Sequence, residues 1–246
     1  MSLKKTTGIV LSSSIIGEAD VKANCLCRDE GKKSLIFKGL KKSAKRPQSA
    51  AEPGTMIGIM YNERPDRDIV TARDFSVIKY FAGIRTDFFK IVCSSFLLEL
   101  VERTTRFGST ENSVFDFLAN ALSSMEKTDR PLDLAVFFMI RLMKIHGIFP
   151  PAKHCKICGS EDLGKFVFDT FDLGLICKKC SPSNPNLLDR EALDFVLESL
   201  SVKFTKLRSC TTDSKHGLLL HLSLFLEQYF SIKMQSKKLL LDITYI

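Results

Sequence analysis

The sequence predicts an α+β chain: short strands first, helices after them, and a small metal-binding ribbon set into the helical part. Three observations predict it. Residues 6 to 77 read as short strands separated by turn residues, with period-two alternation in two of them. From about Lys79 the pattern changes to helical spacing. Cys155-Lys156-Ile157-Cys158 and Cys177-Lys178-Lys179-Cys180 then form two Cys-x-x-Cys pairs with eighteen residues between them.

Thr6 to Ser12 is rich in small and β-branched residues. Val21, Ala23, Cys25 and Cys27 alternate with Lys22, Asn24, Leu26 and Arg28, giving one mostly apolar face. Asp29-Glu30-Gly31 reads as a hairpin turn into Ser34 to Lys38. Thr55 to Tyr61 is a nearly continuous apolar run, and Asp68 to Ile78 returns to alternation. Five strands at this spacing predict a small closed barrel of the oligonucleotide-binding type, although an SH3-like barrel would give much the same pattern. Cys25 and Cys27 share a strand face and read as small buried hydrophobes rather than as a metal pair.

Charge singles out one part of this region. Lys32, Lys33, Lys38, Lys41, Lys42, Lys45 and Arg46 fall within fifteen residues with no acid among them, in a chain of net charge +8. The segment Gly39 to Gly54 also carries Ser43, Pro47, Ser49 and Pro53, and reads as a long, mobile loop. Clustered cations on such a loop neutralise phosphates without demanding a base sequence. A solvated loop that only keeps the protein soluble is the blander reading, and the density of uncompensated charge favours phosphate contact. Phe37, Tyr61 and Phe75 are the main aromatic residues of the barrel and read as core, so base stacking is not indicated.

Helical spacing then places Phe88, Ile91, Val92, Ser95, Phe96, Leu98, Glu99 and Val101 on one element, closed by Arg103 to Arg106. Ser113 to Lys127 forms a second helix. Pro131 suits the first turn of a third, which is apolar on most sides and ends at Gly147. Pro150-Pro151 delivers the chain to the first cysteine pair. Phe166 to Phe168 and Leu173 to Ile176 read as ribbon strands. Arg190 to Leu200, capped by Asp189, and Gly217 to Phe230 complete the helices. Lys237 to Ile246 is β-prone and has no predicted place. The expected domains are residues 1–78, the barrel with its basic loop, and 79–246, the helical domain, with the ribbon inserted at about 152–184.

Each Cys-x-x-Cys turns two thiolates toward one point, and Cys155, Cys158, Cys177 and Cys180 together supply a tetrahedron. One structural zinc ion is the expectation. Four thiolates fill its coordination sphere and leave no position for water or substrate. A single iron is the alternative metal, and disulfides fit poorly with the reduced cytosol expected for this chain. His154 stands beside the first pair and reads as an exposed loop residue.

Nothing in the sequence assembles a catalytic site, so no enzymatic activity is expected. Phosphate-loop, dinucleotide, zinc-protease and serine-hydrolase motifs are absent, and His146, His154, His216 and His221 have no triad-like neighbours. Asp66 and Asp68 read as solvated turn residues. No apolar run is long enough to span a bilayer, and Met1 to Lys5 leads directly into a strand-like segment, so a cytoplasmic protein with no membrane partner is expected.

Together these residues resemble the bacterial recombination mediator RecO family over nearly the whole chain. The resemblance begins with Gly8-Ile9-Val10-Leu11 and Gly17-Glu18-Ala19-Asp20, and continues through Glu30-Gly31-Lys32 and Lys38-Gly39-Leu40-Lys41-Lys42-Ser43. Its most specific part runs from Phe137 through Arg141 and His146 to Pro150 and into Cys155-Lys156-Ile157-Cys158-Gly159. Ala51-Glu52-Pro53-Gly54 and His146 depart from the family pattern, which often has an aliphatic-x-Pro-aromatic stretch at the first place and leucine at the second. The resemblance implies an oligonucleotide-binding barrel, a helical domain and a zinc ribbon. It further implies binding of single- and double-stranded DNA and annealing of complementary strands. Implied partners are the acidic tail of single-stranded DNA-binding protein and RecR, with RecA loaded as a result and therefore engaged indirectly. A zinc-ribbon protein acting on RNA, or within a transcription or ribosome-assembly complex, is the rival reading, and a pure interaction scaffold is a third.

Overall fold

Alternating burial sets the N-terminal strands. The computed structural model describes residues 3–62, 69–149, 153–169 and 171–244, and the chain forms two compact units, Met1–Thr128 and Asp129–Ile246. Asp66, Asp68, Pro150 and Pro151, assigned above to turns and a connection, lie outside the described residues. In the first unit, β1 (Leu3–Ile16), β2 (Asp20–Cys27), β3 (Gly31–Phe37), β4 (Met56–Asn62) and β5 (Ile69–Lys79) close into a barrel in the order β1-β2-β3-β5-β4. Neighbours run antiparallel except β3 and β5, where Ser34–Ile36 pair in parallel with Ile69–Thr71 and close the barrel. Five strands closed in this way give the expected oligonucleotide-binding type of barrel.

Cys25 and Cys27 lie in the barrel core with Val10, Leu35, Phe37, Ile57 and Ile59. Burial pushes both thiols up, that of Cys27 to about 12, so they pack as hydrophobes. Gly31 opens β3 at φ 67°, and a Cβ there would stand 2.2 Å from the backbone oxygen of Ser109. Only glycine meets both demands.

The segment between β3 and β4 is a folded cap. Gly39 turns left-handed, and 3-10 turns follow at Leu40–Lys42 and Gln48–Ala51. Leu40, Ala50 and Ala51 are buried in the barrel core, while the Lys41 N–H donates to Ala19 O and the Gly54 N–H to Val10 O. The mobile loop expected from composition is instead pinned at three apolar points and by backbone hydrogen bonds.

Three helices pack with the barrel in this unit: α1 (Ala82–Arg85), α2 (Phe88–Thr104) and α3 (Asn112–Lys127). Asp87 caps α2 by accepting from the Lys90 N–H at 3.1 Å. Near the other end, Glu102 accepts from Ser12 Oγ at 2.6 Å and Asn24 Nδ2 at 2.7 Å, and Ser34 Oγ donates to Asn24 Oδ1. This polar chain ties α2 to three adjacent strands, β1, β2 and β3.

In the second unit α4 (Pro131–Ile145) is the buried element, with Leu134 to Ile140 all buried. Gly147 at φ 70° ends it, its N–H donating to Lys144 O while Ile148 donates to Met143 O. Around it lie α5 (Arg190–Ser201), α6 (Thr212–Tyr229) and α7 (Ser236–Ile243), with a small sheet in the order β7-β6-β8, formed by β6 (Lys165–Phe168), β7 (Leu175–Cys177) and β8 (Leu188–Asp189). Asp189 joins ribbon to helices. It closes β8 and caps α5 by accepting from the Ala192 N–H, and the same oxygen accepts from Ser214 Oγ on α6.

Two sequence expectations are corrected here. The helix expected to begin at Gly217 begins at Thr212, capped by Thr211. Gly217 is interior to it because Leu188 packs directly on its α-carbon, where a Cβ would stand 2.3 Å from Leu188 Cδ2. Lys237 to Ile243 of the β-prone tail lie in α7, held by burial of Leu240 and Ile243 one turn apart and by the Lys237–Glu227 ion pair.

Candidate metal centre and nucleic-acid interface

The four cysteines converge. Cys155 Sγ, Cys158 Sγ, Cys177 Sγ and Cys180 Sγ all lie within 4.8 Å of one another, and Cys158 Sγ is 3.7 Å from Cys177 Sγ. Zinc–thiolate bonds of about 2.3 Å in a tetrahedron place sulfurs about 3.8 Å apart, so the cluster has the right dimension for such an ion. Local structure produces it. The first knuckle folds back by Cys155 N–H to Ser160 O and Gly159 N–H to Cys155 O, both 2.8 Å, with Gly159 left-handed. The second closes by Cys180 N–H to Cys177 O at 3.0 Å. Lys156 N–H donates to Leu175 O and fastens one knuckle to the other, and its ammonium is clamped by Asp169 at 2.8 Å and Asp172 at 2.9 Å.

Electrostatics among the four thiols favour a cation. Burial opposes ionisation of Cys155, yet N–H donation from Cys177, Cys158 and Ile157 brings its thiol down to about 6. Sharing of hydrogen bonds with Cys158, followed by burial, drives Cys180 up to about 12. Thiols this close cannot all ionise unless positive charge sits among them. His154 is exposed and takes no part in the cluster.

The basic residues separate into two groups. Lys38, Lys41, Lys42, Lys45 and Arg46 are exposed on the cap. Lys42 pairs with Glu18 at 2.8 Å in an open setting, and Arg46 donates to Lys38 O while its guanidinium lies 5.7 Å from the Phe75 ring centroid. Lys32 and Lys33 lie on β3 instead. Lys32 is 7% exposed, and its ammonium donates to Glu102 O and Thr105 O at 2.6 Å each, capping the C-terminal carbonyls of α2. It also lies 4.6 Å from the Phe107 ring centroid. Burial lowers its pKa. Lys33 has only 15% of its side chain exposed and pairs with Glu30 at 3.8 Å. Phe37 and Tyr61 are buried and Phe75 packs edge-on against Phe37, so these rings are core.

Fold and site together define a class: an oligonucleotide-binding-type barrel with a basic cap, followed by a helical region that carries a four-cysteine cluster able to hold a metal ion. The family models make the class particular. The model described as Recombination protein O N terminal matches residues 1–81, and that described as Recombination protein O C terminal matches residues 85–238. The chain belongs to the RecO family. It is 26% identical to the DNA repair protein RecO of Bacillus subtilis (strain 168) over 242 residues, covering 97% of this chain and 94% of that one. It is 29% identical to the DNA repair protein RecO of Anaeromyxobacter dehalogenans (strain 2CP-C) over 190 residues, covering 76% and 74%. With the protein of that name from Acetivibrio thermocellus the identity is 28% over 208 residues, covering 81% of each.

Proposed function

We propose that this chain is a non-enzymatic DNA-binding recombination mediator acting in DNA repair. It binds single- and double-stranded DNA and anneals complementary strands. It engages the acidic tail of single-stranded DNA-binding protein and acts with RecR to load RecA on DNA coated by that protein. The observation that carries this reading is the cap, where Lys38, Lys41, Lys42, Lys45 and Arg46 are all exposed and, among the described residues, only Lys42 has an acidic partner in an ion pair. Positive charge on a fixed platform neutralises phosphates and lets two strands approach one another. Lys32 and Lys33 serve this surface indirectly, by fixing β3 against α2 and the β2–β3 turn. DNA binding belongs in this proposal to residues 1–78, and partner contacts to the helical domain of residues 79–246.

The cysteine cluster holds zinc, with Cys155, Cys158, Cys177 and Cys180 as its ligands. Zinc supplies cross-linking of two knuckles rather than chemistry, because four thiolates close its coordination sphere. The protein works in the cytoplasm at the nucleoid; among the described residues no helix is long and apolar enough to cross a membrane.

Fluorescence anisotropy with labelled single and double strands over a range of salt tests the reading. Binding whose logarithm falls linearly with the logarithm of salt, without dependence on base sequence, supports it. Absence of binding at low salt refutes it.

A further inference from the structure

The barrel face across β1, β2 and β3 that such folds commonly offer to oligonucleotides is closed here. Glu102 of α2 accepts from Ser12 and Asn24, Ser34 joins through Asn24, and Lys32 grips the end of the helix. A strand following the cap is directed to the other end of the same hairpin. There β1 and β2 run on to a turn at Gly17, with Ile15 63% and Ile16 42% exposed.

A cavity of about 280 Å3 opens between this hairpin and the cap. One water needs only about 10–15 Å3, so the space suits something much larger. Ile15, Val21 and Leu40 are among its walls, and its polar edges include Ser13, Lys41, Gln48 and Glu52, whose carboxylate accepts from the Tyr80 hydroxyl and pairs with Arg85. Pairing of Ser13 with Ala23 and of Ile15 with Val21 puts these four side chains on one face. The Gln48 amide nitrogen donates to Lys41 O at 3.3 Å, which turns the amide oxygen toward use as an acceptor. Apolar walls suit the faces of a planar heterocycle. A hydroxyl and an amide at the edge suit its hydrogen-bonding groups, and both can donate or accept. The Lys41 ammonium on the rim suits the adjoining phosphate.

We propose that this cavity receives one unstacked nucleobase of a single strand, with the flanking phosphates on Lys41 and its neighbours in the cap. The inference rests on the DNA-binding reading above and deepens it. Hydroxyl and amide groups that serve as donor or acceptor accept any base, so capture is sequence-tolerant. A duplex keeps its bases stacked and paired, so only a single strand fills the cavity. The barrel therefore discriminates strand state by base capture as well as by charge.

The test uses the full-length, metal-loaded protein and an oligonucleotide carrying one 2-aminopurine, whose emission rises when the base leaves the stack. An otherwise identical strand made of abasic sites and a duplex of the same length serve as comparisons. Emission should rise on binding, and the abasic strand should bind about tenfold more weakly than the parent strand. Ser13→Phe fills the cavity from an exposed strand position. It should abolish the emission change and weaken single-strand binding by a similar factor, leaving duplex binding within about twofold. Strands that bind with unchanged emission, or abasic strands that bind as tightly as parent strands, overturn base capture while leaving DNA binding intact. Failure of every nucleic acid to bind overturns the functional reading itself. The abasic comparison needs no variant, so it decides the matter even if Ser13→Phe misfolds.

Discussion

Lys32 and Lys41 stand nine positions apart in one basic run, and the structure gives them opposite jobs. Lys32→Met removes two hydrogen bonds from a charged group to carbonyl oxygens at 2.6 Å and a cation–π contact at 4.6 Å. Charged hydrogen bonds contribute about 1.5–3 kcal/mol each and the ring contact about 0.5–1, a gross ~3.5–7 kcal/mol. Methionine retains most of the stem's packing and relieves the burial that lowers the lysine pKa. We therefore expect a net loss of about 2–4 kcal/mol, read as a lower midpoint in urea unfolding followed by circular dichroism. DNA affinity of the folded variant should be unchanged. Lys41→Met, on an exposed site, should stay within about 0.5 kcal/mol of the parent in stability. Losing one phosphate contact there should reduce the salt-dependence slope by about 0.9 on duplex or about 0.7 on single strands. A Lys32→Met protein as stable as the parent but defective in binding DNA would refute this division of labour.

Three further outcomes follow from the geometry. Cys155→Ser or Cys177→Ser should lower bound zinc, measured by a colorimetric chelator, together with the melting temperature, because metal binding at such a site contributes to folding; a variant that keeps its full zinc and its melting point would show that the ligands are misassigned. Gly31→Ala should cost at least about 2 kcal/mol, since the left-handed φ and the Ser109 backbone 2.2 Å from the new Cβ both oppose it, and an unchanged unfolding midpoint would contradict the close approach. His221 and His146 have pKa values lowered by burial from the ordinary 6.5. The unfolded chain therefore binds their protons first, so stability is fully present above about pH 6.5 and is lost as pH falls from there toward the folded values. Unfolding curves at a series of pH values should show that slope and should lose part of it in His221→Gln.

The parts legible in the sequence were those written in period and spacing. Short strand-like runs separated by turn residues located all five barrel strands, helical runs located α2, α3 and α4, and two cysteine pairs located the four-thiol cluster. What stayed illegible depended on contacts distant in sequence. Lys32 joins the basic run by adjacency, yet in a strand neighbouring side chains point to opposite faces, and this one meets the end of α2 some seventy residues later. Leu40, Ala50 and Ala51 are too few and too scattered among lysines and serines to signal a packed cap, although they pin it to the barrel. Gly217 imitates a helix boundary because its reason, the Leu188 side chain, lies outside the helix. In the tail, apolar and β-branched residues outweighed the one-turn spacing of Leu240 and Ile243 that makes it helical.

The central claim is that the cap brings DNA strands together. Annealing of complementary strands should be followed at several salt concentrations, for the parent and for a variant with Lys41, Lys42, Lys45 and Arg46 all changed to glutamate. The account predicts annealing that weakens as salt rises and collapses in the variant, with folding and zinc content unchanged. Annealing by the variant at the parent's rate would place the DNA site on another surface, and absence of annealing by the parent would contradict the mediator function.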